Sequence, residues 1–288
     1  MTYRSVLVFL FICYVSSVSA NTDPFSFPIQ ENQKLVNTFS TDWQQNISLH
    51  FAILKNRDSK TYDIQPFYVS EESNIQKLKP VTLDEEPEIM SLHVDNGAAT
   101  TLLKLKNGIE VVDFSLDGSS TTNFSLGKET QDYKTILRSD GFSCLVNYAD
   151  NNLKLIVIEN SKSIRRQVRR VEKPIQQFFD DLYKNSLQTV ETMEYLDKSS
   201  ISESKCYADG DQLYFTLDNS KQASTSIVAI DITNNDPIDE AYRVGTFNED
   251  MLKDYNSFLV GNDLFGISVG KEDFQLQISE LGDDSLKK

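Results

Sequence analysis

Four arginines, Arg165, Arg166, Arg169 and Arg170, crowd into six consecutive positions of a chain whose formal net charge is −15. Guanidinium groups at this density support three kinds of chemistry. Their planar forks bind carboxylate, sulfate or phosphate, so the cluster is a basic contact for an anionic partner such as a sulfated glycan or an acidic protein surface. The spacing Arg-x-x-Arg, with a further Arg following, is also a cutting site for secretory-pathway processing proteases. On the outer face of a strand, with Ile164, Val168 and Val171 looking inward, the same charges discourage pairing with another chain. The residues themselves leave all three readings open.

Catalytic motifs are thinner. Gly266-Ile267-Ser268-Val269-Gly270 matches the G-x-S-x-G pattern of a nucleophile elbow, which needs a strand, a sharp turn and a helix, with the acid and then the His of the triad downstream. Here an alternating strand follows, and the only histidines, His50 and His93, both lie upstream. Ser268 is therefore read as a strand residue. Zinc spacings of the His-x-x-x-His or Cys-x-x-Cys kind do not occur, and neither does a phosphate-cradling glycine loop. Asp209 and Asp211 begin a calcium-like alternation but lack the closing Glu. No cofactor or metal is expected. One enzymatic alternative survives, because glycoside hydrolysis needs only two or three converging carboxylates, one kept protonated by burial. Asp150, Asp209 and Glu159 are its candidates, in the central channel of a five-bladed propeller.

The elements that would position such groups come from a repeat. In 206–233, Cys206, Tyr207 and Ala208 run into the turn Asp209-Gly210-Asp211, and a second strand, a polar loop from Asp218 to Thr225 and a third apolar run follow. Tyr-Ala-Asp recurs at 148–150, and related turns fall at Asp95 and Asp263. The steps between these turns are 55, 59 and 54 residues, and one further step back of 53 reaches Asp42. Self-similarity of this length, built from short antiparallel strands, points to an all-β, five-unit β-propeller-like repeat. A two-sheet β-sandwich is the alternative. Third strands are expected at 62–69, 109–116, 164–171, 226–232 and 274–281, and weaker fourth strands at 75–83, 121–126, 189–196 and 241–247. The fifth unit has no fourth strand of its own, and 25–29 is free to supply one. One helix interrupts the repeat near 174–185. Pro174 suits its first position, Ile175, Phe178, Phe179 and Leu182 follow helical spacing, and Asn185 and Ser186 end it.

Residues 1–20 have the pattern of a signal peptide: Arg4, a ten-residue apolar core at 6–15, and Val18, Ser19 and Ala20 as the cleavage site. That core is too short to span a bilayer, which takes about 20 residues. The expected mature chain, 21–288, is a single β-propeller-like domain, secreted or in the secretory-pathway lumen, with no membrane span. It keeps 27 of the 28 basic residues and all 43 acids, a balance that argues against nucleic acid as a partner. Asn46-Ile47-Ser48 and Asn123-Phe124-Ser125 are N-glycan acceptors. Once Cys13 leaves with the signal, Cys144 and Cys206 are the cysteines available for a disulfide in an oxidising compartment. Their offset of three relative to the turn counts against the bond, and buried thiols are the alternative. Together these features point to a non-enzymatic interaction module that presents its loops to a protein or glycan ligand.

Overall fold

The structure is a computed structural model that describes residues 29–44, 47–69, 75–95, 97–139, 141–190, 202–244, 254–270 and 273–281. The expected signal peptide with its cleavage site at Ala20, residues 25–28 of the strand expected at 25–29, and the acceptor Asn46 lie outside the described residues, and Ile29 is not in a strand.

The chain is mostly β, in five sheets that follow one another in sequence. Sheet one holds β1 (Gln33–Gln44), β2 (Ile47–Asn56), β3 (Tyr62–Val69), and the short β4 (Ile75–Lys77) and β5 (Val81–Leu83), which both pair with β3. Sheet two is the meander β6 (Glu88–Asp95), β7 (Ala98–Leu105), β8 (Gly108–Ser115) and β9 (Thr121–Ser125). Sheet three is β10 (Thr135–Ser139), β11 (Phe142–Ala149), β12 (Asn152–Asn160) and β13 (Ser163–Arg170). Sheet four joins β14 (Gln188–Thr189), parallel to its neighbour, to β15 (Ser204–Asp209), β16 (Gln212–Asn219), β17 (Ser224–Asp231) and β18 (Tyr242–Val244). Sheet five has β19 (Asp254–Val260), β20 (Asp263–Val269) and β21 (Phe274–Glu280). Among the described residues these sheets do not close into a barrel or a propeller ring.

The tight turns form where small or polar residues accept a left-handed backbone. Asp150 and Asn151 have φ of 55° and 57° between β11 and β12, and Gly210 has φ of 50° between β15 and β16. The first has the paired positive φ of one two-residue hairpin turn, and the second has the single positive φ, on a leading Gly, of the other. The repeat and the sheets are nevertheless out of step. The turn after Asp95 joins the first and second strands of sheet two, whereas the turn at Asp150 joins the second and third strands of sheet three, because β10 adds a strand before it. Of the fourth strand expected for unit three at 189–196, residues 191–196 lie outside the described residues, and Thr189, with Gln188, instead begins sheet four. Asp42 lies inside β1, and the strands β16 and β17 take in Asp218, Asn219, Ser224 and Thr225, much of the expected loop.

The helix α1 (Lys173–Lys184) starts with Pro174 in its first turn and buries Ile175, Phe178, Phe179 and Leu182. These side chains join the core shared by sheets three and four, where the Phe179 ring lies 5.5 Å from that of Phe215 and 5.3 Å from that of Tyr148. The helix thus covers an intersheet core. A second cluster, around Leu49, Phe51, Leu103 and Phe114, fills the space between sheets one and two.

One expected orientation is reversed. In β13, Val168 is 59% exposed while Arg169 is only 3% exposed. Strand periodicity explains this: residues 165, 167, 169 and 171 share one face, so a buried Val171 carries Arg169 inward with it.

Candidate functional site

The arginine strand is built into the seams between sheets. From one face of β13, Arg165 Nη1 donates to the Ile232 carbonyl at 3.4 Å, Gln167 Nε2 to the same carbonyl at 2.7 Å, and Arg169 Nη2 to the Asp231 carbonyl at 2.6 Å and to the Asn234 carbonyl. All of these acceptors belong to the end of β17 and the segment after it, in sheet four. From the opposite face Arg166 reaches back to sheet two, donating to the Leu126 carbonyl at 3.1 Å and pairing with Glu129 at 3.0 Å. Arg165 also pairs with Glu159 at 3.4 Å, and Arg170 with Glu172 at 3.4 Å. Three of the four charges therefore face a carboxylate of the same chain, and the fourth is buried among carbonyls. An anionic ligand would have to displace these partners, and a protease would have to unpair the strand.

Two aspartates make the same kind of tie. Asp218 of β16 accepts Lys205 Nζ at 2.7 Å with both side chains wholly buried. It also accepts Thr225 Oγ1 at 2.8 Å, and both the N–H (2.9 Å) and the Oγ (2.6 Å) of Ser257 in sheet five. Lys205 Nζ donates as well to the Ser202 carbonyl at 2.5 Å. Burial lowers the pKa of this ammonium and Asp218 opposes the shift, so the charge persists because its partner is fixed beside it. In sheet two, Asp113 accepts Thr100 Oγ1 at 2.9 Å across the strand pair and the N–H of Ser161, from sheet three, at 2.9 Å. His93 adds to this seam, with Nδ1 3.0 Å from Ser143 Oγ and Nε2 2.8 Å from the Glu159 carbonyl.

The other sequence candidates stay apart. Asp150 and Asp209 are exposed at separate hairpin turns, and Glu159 is engaged with Arg165 and with Ser163 Oγ at 2.7 Å. Ser268 is buried within β20, whose next strand is β21. Asn123 lies exposed in β9, the outer strand of sheet two. Cys144 and Cys206 are free thiols, both buried in the core between sheets three and four. Desolvation raises the Cys144 thiol to about 12 and lifts that of Cys206 further, which leaves neither nucleophilic. Among the described residues no group of His, Cys, Asp or Glu side chains could hold a metal ion, and no helix is long and apolar enough to cross a membrane.

Sequence reading missed Lys205, Asp218 and Asp113. Each sits in a strand as a lone charge among apolar or hydroxyl neighbours, and that pattern alone marks a charge that must find a buried partner.

No family model matches the chain, and no curated protein matches it. Among solved structures it is similar to an apocarotenoid oxygenase from Synechocystis, at 8% identity and a TM-score of 0.40 over 82% of this chain and 56% of that one. It is also similar to the acylaminoacyl peptidase of Pyrococcus horikoshii, at 9% identity and a TM-score of 0.42 over 86% of this chain and 40% of that one. The chain thus spans about half the length, or less, of the solved proteins it matches.

Proposed function

We propose that this chain is a secreted or luminal, N-glycosylated, non-enzymatic binding module that presents the loops of a five-sheet ring to a macromolecular partner, a protein or a glycan. The observation that carries the reading is that the side chains with chemistry to offer are already held between sheets. Arg165, Arg166, Arg169, His93, Lys205 and Asp218 all have partners in a neighbouring sheet or strand. A scaffold made rigid in this way leaves recognition to its loops.

Closure of the ring is part of the proposal. Phe258 and Phe265 stack at 5.1 Å on the face of sheet five that looks away from sheet four, and Ile267 and Val269 extend that face. Leu35, Ala52 and Leu54 are incompletely buried on the face of sheet one that looks away from sheet two. Each terminal sheet offers the apolar surface that the other needs.

Protein made in a eukaryotic secretory host, with any glycan on Asn123 retained, should bind partners on protein and glycan arrays. It should release no sugar from arabinan, xylan or fructan. Hydrolysis that disappears in Glu159→Gln or Asp209→Asn would replace this reading with the glycosidase.

A further inference from the structure

Sheet five has three strands, and its outer strand β21 pairs with β20 alone among the described residues. Backbone parity shows which groups face away from β20. Leu281 donates its N–H to the Asn262 carbonyl and Asp273 accepts from the Gly270 N–H, so odd-numbered residues of this strand point toward β20. The N–H and C=O groups of Phe274, Leu276 and Ile278 point away from it. Their side chains form one row, 75%, 55% and 57% exposed.

Several other outer strands are protected: β4 and β18 have three residues each, β9 has five and carries the acceptor Asn123, and β13 carries Arg166 and Arg170. β1, β6, β10, β14 and β19 are outer strands too, but among the described side chains none of them shows a row of three exposed large apolar residues. Short length and charge are the usual defences of a sheet edge. β21, with the sequence Phe-Gln-Leu-Gln-Ile-Ser-Glu, has neither until its last residue.

This strand is also complementary to itself. Laid antiparallel against a copy with Leu276 opposite Leu276, it sets Phe274 against Ile278 and Gln275 against Gln277, with Asp273 facing Ser279. Moving the centre to Gln277 sets Phe274 against Glu280, which loses the match. The parity above makes Phe274–Ile278, Leu276–Leu276 and Ile278–Phe274 the hydrogen-bonded pairs, about six backbone bonds in all. Apolar cross-strand pairs then cover the sides of the exposed row. We infer that β21 is the dimerisation edge of this protein, pairing with β21 of a second copy about a twofold axis through Leu276 and turning two three-stranded sheets into one of six. The exposed row shares the face of Phe265, Ile267 and Val269 that ring closure would cover, and the edge is the one that 25–29 could also take, so this edge is assigned to a second copy instead of to the chain's own start.

Sedimentation of the full chain across a dilution series should show a reversible monomer–dimer equilibrium. Leu276→Lys places two like charges opposite each other and should raise the dissociation constant by about a hundred-fold, more than 2 kcal/mol. Leu276→Cys supplies a second readout and keeps the strand apolar: the facing Cα atoms would be about 5.5 Å apart, within disulfide range. Mild oxidation should link Leu276→Cys to itself. Phe274→Cys alone should not link, but mixed with Ile278→Cys it should. A monomer at every concentration, a dimer indifferent to Leu276→Lys, or linkage without this register would each overturn the inference.

Discussion

Asp218 accepts both the N–H and the hydroxyl of Ser257, at 2.9 and 2.6 Å, so one carboxylate of sheet four clasps the first strand of sheet five. Asp113 holds the N–H of Ser161 in the same manner two seams earlier, from sheet two to sheet three. With Arg165, Arg166 and Arg169 tying sheet three to its neighbours on both sides, the polar residues of this chain act as fastenings between sheets, and consequences for stability follow.

Arg169 and Arg170 are adjacent in sequence and should differ sharply. Arg169→Ala removes a buried side chain and leaves the carbonyls of Asp231 and Asn234 without their donor, at a cost of about 1–3 kcal/mol. Arg170→Ala removes an exposed ion pair and should cost less than about 0.5 kcal/mol. Urea midpoints of the two variants measure the difference; equal effects would restore the reading of the cluster as a solvated edge.

Stability should fall in alkali. The Cys144 thiol and the Tyr255 hydroxyl are each raised to about 12 by burial, and Cys206, Tyr183 and Tyr207 are raised as well, also chiefly by burial. The unfolded chain loses these protons at the ordinary values of 9.0 for thiols and 10.0 for phenols, while the folded chain keeps them. Between those values and about 12 the folded state binds more protons, so unfolding becomes easier as pH rises. Unfolding free energies at pH 8, 9.5 and 10.5 should decrease in that order; a flat profile would refute the burial of these groups.

Thiol counting separates the two fates of the cysteines. Protein lacking residues 1–20, and with them Cys13, should show no reactive thiol when native and two when denatured without reductant, matching the free, buried pair. A denatured monomer with no thiols would establish the Cys144–Cys206 bond instead.

Much of the fold is legible in the order of residues. Pro174 and the spacing of Ile175, Phe178, Phe179 and Leu182 place the helix, and the turns at Asp150 and Gly210 place two hairpins, because both signals are local. Membership in sheets was harder to read. Nothing near Thr135 or Gln188 shows which sheet those short strands will join, since that is settled by pairing with distant strands. The side of β13 on which Arg169 lies was readable in principle: counting by twos from Val171 reaches Arg169, whereas Ile164 and Val168 fall on the other face. Lys205 and Asp218 are thirteen residues apart, and only the pairing of β15 with β16 brings them together.

The buried pair tests most directly the claim that this chain's charged residues act as fastenings, because Lys205 holds, across two strands of sheet four, the carboxylate that clasps Ser257 of sheet five. Lys205→Met and Asp218→Leu should each cost about 3–5 kcal/mol, because each strands a buried charge. In a double-mutant cycle measured by urea unfolding, the combined variant should fall short of the sum of the two by at least about 2 kcal/mol. Costs that add to within about 0.5 kcal/mol would show that Lys205 and Asp218 are not a fastening, and the account would lose its basis.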